Sequence, residues 1–255
     1  MGQVDSRVPL TTPRRRLMFT ESAPLAVELT DPVRARLLSP DAPSFEVFRL
    51  LRTKVKALDE QRPLRCIGLV SASPGNGTTT MALGLAAALA QEPGRRVLVV
   101  EATVREPVLE RILGLRPAPG LNQWLESSED GTVLLRHLKP WGFTLLSGGK
   151  PDSAPGERLA SDRMAHLVSA VRDAFDFVIV DCPPLEPVSD SLVLQDMLDG
   201  FLFVVRARHT ARNAVKRACS HLKPEHVRGV VFNDREEMLA GWLDRRRARG
   251  RTSGL

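Results

Sequence analysis

The chain contains no tyrosine, and only 5% of its 255 residues are aromatic. Its own residues therefore offer no site for tyrosine phosphorylation. Cysteine is scarce as well. Cys66, Cys182 and Cys219 lie far apart and form no C-x-x-C pair, which argues against a zinc ribbon or a disulfide framework and suits a reducing compartment. The five histidines, His137, His166, His209, His221 and His226, are scattered without metal-ligand spacing. No apolar run approaches the ~18–20 residues of a membrane span, and "MALGLAAALA" at 81–90 is too short. The N-terminus lacks a charged region followed by a hydrophobic core, so no secretory signal is read and a cytoplasmic protein is expected. "MGQVDS" matches the short acylation pattern M-G-x-x-x-[ST], at a length where chance matches are common.

What is present begins with charge. The formal net charge is +6, but residues 244–255, "DRRRARGRTSGL", hold five arginines against one aspartate. Most of the excess thus sits in a tail, which is more often solvated than bound, and no nucleic-acid partner is expected. Residues 1–42 are rich in proline, serine and threonine and include "PRRR". They read as a flexible leader with one short helix near 31–38. Residues 43–243 form the expected domain, with 43% hydrophobic residues in the whole chain to build its core.

Within that domain, β-rich runs stand at 66–71, 96–101, 143–148, 177–181, 200–206 and 228–233. Helical segments are expected at 78–91, 107–113, 157–174, 188–198 and 211–222, and an earlier amphipathic helix begins near Ser44, a plausible N-cap. Continuously apolar strands alternating with helices predict an α/β fold, a doubly wound and mostly parallel sheet flanked by helices. Trp124 and Trp141 sit in apolar contexts and read as packing residues.

Ligands of such sheets bind at the carboxyl ends of the strands. There the sequence places "CIGLVSASPGNGTTT", a glycine loop opening into a helix. The backbone amides of Gly75, Asn76, Gly77 and Thr78 are expected to cradle phosphate, assisted by the helix dipole. Against the pattern G-x-x-x-x-G-K-[ST], however, the lysine position holds Thr78. On the loop alone, a bare turn and a phosphate site are equally supported.

Five further stretches occur in order: "EVFRLLR", "RRVLVVEATVREPVLERILGL", "GGKPDSAPGERLASDRM", "FDFVIVDCPPLEPVSDSLVL" and "GVVFN". Together with the loop, they resemble the bacterial tyrosine kinases (BY-kinases, of the CpsD/CapB type) among the deviant P-loop ATPases, over about residues 42 to 235. The resemblance implies a P-loop NTPase-like fold, ATP or ADP with Mg²⁺ as cofactor, and a role in capsule or exopolysaccharide production. It implies that Gly75, Asn76, Gly77, Thr78, Thr79 and Thr80 surround the phosphates, and that Thr79 and Asp181 hold the metal. It also implies catalytic carboxylates at Glu101 and Asp181, and places Asn233 beside the adenine. The E-x-x-R-x-x-R residues Glu46, Arg49 and Arg52 become a self-association element. Their spacing alone would suit a solvated face with an intrahelical Glu46–Arg49 pair.

The departures from the family pattern matter as much. Thr78 removes the ammonium group, a loss of ~1.5–3 kcal/mol per charge-assisted contact, or roughly 10- to 150-fold in affinity. Glu101 stands where a shorter aspartate is expected, Thr103 replaces a second acid, and Ala154 replaces an asparagine, while Arg105 and Pro107 remain. Cys182 beside Asp181 reads as a small apolar packing residue. The family's C-terminal tyrosine cluster is absent. The expectation is a pseudokinase-like cytoplasmic regulator with weak or absent ATP or ADP binding and turnover. It would form a homo-oligomer at the inner face of the cell membrane through a membrane polysaccharide co-polymerase. The alternatives are an active BY-kinase or ATPase acting on another chain and, disfavoured by the missing signature lysine, a partition-type ATPase.

Overall fold

The computed structural model describes residues 17–27, 29–127, 132–187 and 190–233; the arginine tail lies outside them, as do residues 1–16 of the expected leader. Eight strands form one sheet in the order β1-β4-β5-β3-β6-β2-β7-β8. They are β1 (Phe19–Glu21), β2 (Cys66–Ser71), β3 (Val97–Glu101), β4 (Val133–Leu138), β5 (Phe143–Leu146), β6 (Phe177–Asp181), β7 (Gly200–Arg206) and β8 (Val227–Asn233). Every pairing is parallel except that of β4 with β5. The doubly wound reading is therefore correct. Strands β2, β3 and β6 are buried at every position, as their unbroken apolar runs require of a sheet covered on both faces.

The helices are α1 (Pro32–Leu37), α2 (Glu46–Gln61), α3 (Thr78–Ala90), α4 (Leu109–Ile112), α5 (Leu121–Glu126), α6 (Gly156–Leu159), α7 (Asp162–Ala174) and α8 (Arg212–Ser220). Helix α3 buries nine consecutive residues, Met81 to Leu89, because α2 covers the side that the sheet does not. At Gly84 a Cβ would lie 2.2 Å from the Phe48 ring of α2. A glycine here is the condition for close contact of the two helices. Two apolar clusters fill the two faces of the sheet. One includes Phe45, Phe48 and Leu85, the other Met164, Leu167 and Phe203.

Four expectations are corrected. Residues 19–21, placed in a flexible leader, form β1, paired in register with Val133, Leu134 and Leu135 of β4; a three-residue strand has no periodicity of its own to detect. The expected helix at 188–198 is, among its described residues, a short 3₁₀ turn at Leu192–Leu194. The Ser191 hydroxyl there donates to the Pro183 carbonyl at 2.5 Å and ties the segment to the end of β6. The single helix expected at 157–174 is two, because the Ser161 hydroxyl accepts from the Met164 amide and starts α7 afresh. Ser44 is not the cap of α2. A 3₁₀ turn precedes that helix, and the Ser44 hydroxyl donates to the Arg36 carbonyl at 3.2 Å.

Candidate functional site: a phosphate loop between two buried carboxylates

The loop at 72–77 leaves the carboxyl end of β2 and enters α3 through two left-handed glycines, Gly75 at φ +81° and Gly77 at φ +86°. At Gly77 a Cβ would meet the Asn233 amide nitrogen at 2.2 Å. Asn233, at the end of β8, donates from that nitrogen to the Asn76 carbonyl at 2.8 Å. Asn76 in turn donates to the Ser73 carbonyl at 2.5 Å, and its side-chain oxygen accepts from the Arg206 amide at 3.2 Å and from the Thr210 hydroxyl. The side chains of Asn76 and Asn233 thus hold the loop in place. The amide group of Asn233, expected beside an adenine, is committed to the loop backbone.

No side chain caps α3. Its first amides, at Thr78, Thr79 and Thr80, have no acceptor within the helix, and the positive end of its dipole points into the loop. A tetrahedral anion matches that arrangement.

Two carboxylates close the site from the neighbouring strands. Glu101 and Asp181 are register partners on β3 and β6, and both are fully buried. Burial raises the pKa of each; the charge of Glu101 pushes that of Asp181 higher, and the charge of Glu110 does the same to Glu101. Their surroundings otherwise differ. Glu101 Oε1 accepts from the amides of Val108 and Leu109 at 2.5 and 2.8 Å, and Oε2 accepts from the Gly148 amide at 2.8 Å. Both oxygens are engaged in joining β3, the start of α4 and the end of β5. Glu101, expected as a degenerate catalytic carboxylate, thus has both oxygens engaged by backbone amides.

Asp181 has no hydrogen-bond partner on either oxygen. Desolvation pushes its pKa to about 7, opposed by the nearby Thr79 hydroxyl and the Arg34 guanidinium. The hydroxyl is close enough to lower the value, although neither oxygen meets it in hydrogen-bonding geometry. A buried carboxylate without a partner beside a threonine hydroxyl is a hard-oxygen donor pair. It fits Mg²⁺, which is usually held by one or two protein oxygens together with phosphates and water. No cluster of three acidic, histidine or cysteine ligands occurs among the described residues, so phosphate would have to complete such a site.

Comparison with known proteins agrees with this geometry. The tyrosine-protein kinase YwqD of Bacillus subtilis is 29% identical over 204 residues, which cover 78% of this chain and 85% of YwqD. The kinase domain of the Escherichia coli tyrosine kinase ETK superposes with a TM-score of 0.71 at 26% identity, covering 78% of this chain and 79% of that one. The succinoglycan biosynthesis transport protein ExoP of Rhizobium meliloti is 31% identical over 202 residues, 76% of this chain and 25% of ExoP. This chain is similar to bacterial tyrosine-protein kinases and to their kinase domains. No protein-family model matches it, and it spans only 33% of the tyrosine-protein kinase Ptk of Acinetobacter johnsonii.

In this BY-kinase-like fold, the other motif residues are found in contact. Arg105 forms a two-pronged ion pair with Asp190, at 2.5 and 3.0 Å, and donates to the Ser153 carbonyl at 2.8 Å. The pair ties the two acidic-strand loops together. Thr103 donates to the Asp181 carbonyl at 3.4 Å and supplies no charge. Cys182 is buried in the apolar cluster on one face of the sheet, and desolvation raises its thiol pKa well above the ordinary value, which disfavours the thiolate.

Glu46, Arg49 and Arg52 lie on α2 as their spacing predicts, but both arginines bind within the chain. Arg49 pairs with Glu46 at 3.0 Å and donates to the Pro40 carbonyl at 2.7 Å. Arg52 donates to the Ala88 carbonyl at 2.9 Å, at the carboxyl end of α3. Two contributors were not singled out by sequence. Arg34 bonds the Thr80 hydroxyl, and Asp152, paired with Arg158, supports the segment beside Arg105. Nothing in the local pattern of either residue marks it. A cavity of about 610 Å³ between α2 and β8, lined by Leu50, Leu51, Val230 and Phe232, is apolar and borders the loop only through Asn233.

Proposed function

We propose that this chain is a regulatory BY-kinase homologue of an exopolysaccharide system, one that retains a nucleotide cradle and has lost most phosphoryl transfer. The observation that carries the reading is the pairing of Thr78 at the lysine position with a Glu101 already engaged by three backbone amides. Phosphoryl transfer depends on positive charge placed against the phosphates and on well-positioned carboxylates. Here the loop offers the backbone amides, Thr79 offers a hydroxyl, and Asp181 is the one acid free to act. A bound Mg²⁺ would supply charge neutralisation between phosphate oxygens. The remaining groups bind and orient the phosphate chain without the lysine's contact in the transition state.

The names of the relatives, among them a succinoglycan biosynthesis transport protein, support placement in polysaccharide export. No helix among the described residues is long and apolar enough to cross a membrane. On this reading the chain acts in the cytoplasm at the membrane's inner face, docked on a co-polymerase and self-associating through α2. Glu46, with its side chain 71% exposed, is the member of that motif most available to a partner.

Calorimetric titration with Mg-ATP and Mg-ADP, together with a phosphate-release assay, tests the proposal. Binding with little release is expected. Turnover at a rate typical of kinases, abolished by Asp181→Asn, would establish instead an active kinase acting on another chain. That second reading is favoured by one observation, the unpartnered Asp181 beside Thr79.

A further inference from the structure

Helix α1 sets a guanidinium against the wrong end of α3. Arg34 Nε donates to the Thr80 hydroxyl at 3.1 Å, in the first turn of a 13-residue helix. A cation is repelled there by the positive end of the helix dipole and is ordinarily found at the other terminus. The nearest acid in sequence does not resolve the conflict. Asp31 Oδ1 accepts from the Val33 and Arg34 amides as the N-cap of α1, and Asp31 Oδ2 is 3.6 Å from Arg34 Nη1. On the other side of the same turn, next to Thr79, Asp181 lies fully buried with both oxygens unpartnered.

Uncapped helix amides, a half-buried guanidinium and an orphaned carboxylate therefore converge on one small volume. A phosphate group with Mg²⁺ satisfies all three at once. Its oxygens would accept from the amides and the guanidinium, and the carboxylate would help hold the metal. With Nε on Thr80 and Nη1 3.6 Å from Asp31 Oδ2, Nη2 is the nitrogen of the guanidinium turned over to a phosphate oxygen in this proposal.

We propose that Arg34, reaching in from α1, supplies the cation that the loop gives up at Thr78, and so serves as a phosphate-binding residue for a nucleoside di- or triphosphate. The inference rests on the nucleotide-cradle reading and adds a specific ligand to it. It also accounts for residues 31–38 being packed on the domain instead of trailing from it.

The test is titration of the full chain with Mg-ADP, with inorganic pyrophosphate plus Mg²⁺, and with adenosine as the phosphate-free probe. Arg34→Gln keeps a hydrogen-bonding group for Thr80 and removes the charge, whereas Arg34→Lys keeps the charge. Arg34→Gln should weaken Mg-ADP and pyrophosphate by ~10-fold or more on the charge-assisted scale and leave adenosine unchanged. Arg34→Lys should retain most of the affinity. Adding Thr78→Lys to Arg34→Gln should restore binding, and by a larger factor than Thr78→Lys gives in the unmodified chain, because both cations would serve the same phosphates. If Arg34→Gln lowers the melting temperature but leaves the pyrophosphate affinity intact, Arg34 only pins α1 and the proposal is overturned. If the unmodified chain binds neither Mg-ADP nor pyrophosphate, the cradle reading fails first and the inference falls with it.

Discussion

Glu101 and Asp181 sit side by side at the carboxyl ends of β3 and β6, equally buried, yet one is fully hydrogen-bonded and the other is not. Three backbone amides hold Glu101; none holds Asp181. An ion buried without a partner destabilises a fold by itself, so its persistence at a strand end beside a phosphate loop points to a ligand. A carboxylate saturated by the backbone is architecture. The difference separates a carboxylate held by the backbone from a neighbour whose oxygens have no partner.

The largest expected effect tests the structural half of this comparison. Glu101→Ala removes the acceptor of three amides and leaves a cavity, so urea unfolding should show a loss of about 3–5 kcal/mol. A loss below 1 kcal/mol would mean that the loops at 102–108 and 147–148 do not depend on it. The second prediction concerns Asp181 and has the opposite sign. Its folded-state pKa of about 7 lies above the ordinary 3.8, so as pH rises the unfolded chain ionises first. The contribution of Asp181 to stability is therefore complete in acid and is lost between about pH 4 and pH 7. Asp181→Asn should then be nearly neutral at pH 4 and stabilising by up to about 4 kcal/mol at pH 8. Denaturation curves at the two pH values check it, and equal effects at both would contradict the buried, unpartnered ion.

A smaller effect is expected at the loop. Thr78→Lys should tighten Mg-ATP by at least ~10-fold in calorimetry while phosphate release stays low, because Glu101 remains occupied by its amides. Full hydrolysis on this change alone would show that the second acidic strand matters less than its geometry indicates. The smallest expected effect is at α2. Arg52→Ala should cost about 1 kcal/mol for the Ala88 contact, with the association state in light scattering as the second readout. An unchanged mass together with lowered stability would place Arg52 wholly within the fold.

The expected strand runs between 66 and 233 all appear, because the central strands are continuously apolar and needed no context to be recognised. Strand β4 was missed. It carries Arg136 and His137 in its second half, which interrupt the apolar run, and its pairing is a tertiary matter: antiparallel to β5 on one side and parallel to the three residues of β1 on the other. The glycine loop was legible from its pattern, whereas Thr79 and Asp181 were singled out through the family resemblance. The role of Glu101 was not, since its sequence position gives no sign of the amides at 108, 109 and 148 that curl back to meet it. Arg49 and Arg52 were legible as a helix face but not as residues that close onto Pro40 and Ala88.

By itself, the sequence determined the α/β class, the place of the phosphate loop, the absence of its lysine and the impossibility of tyrosine phosphorylation on this chain. These follow from residue identity and from periods of two and 3.6, which are local properties. Only the tertiary structure decided which carboxylate is engaged, which is free, and that Arg34 lies on the first turn of α3. A hydrogen bond across tens of residues depends on where folding brings the two ends, and no local pattern encodes that distance.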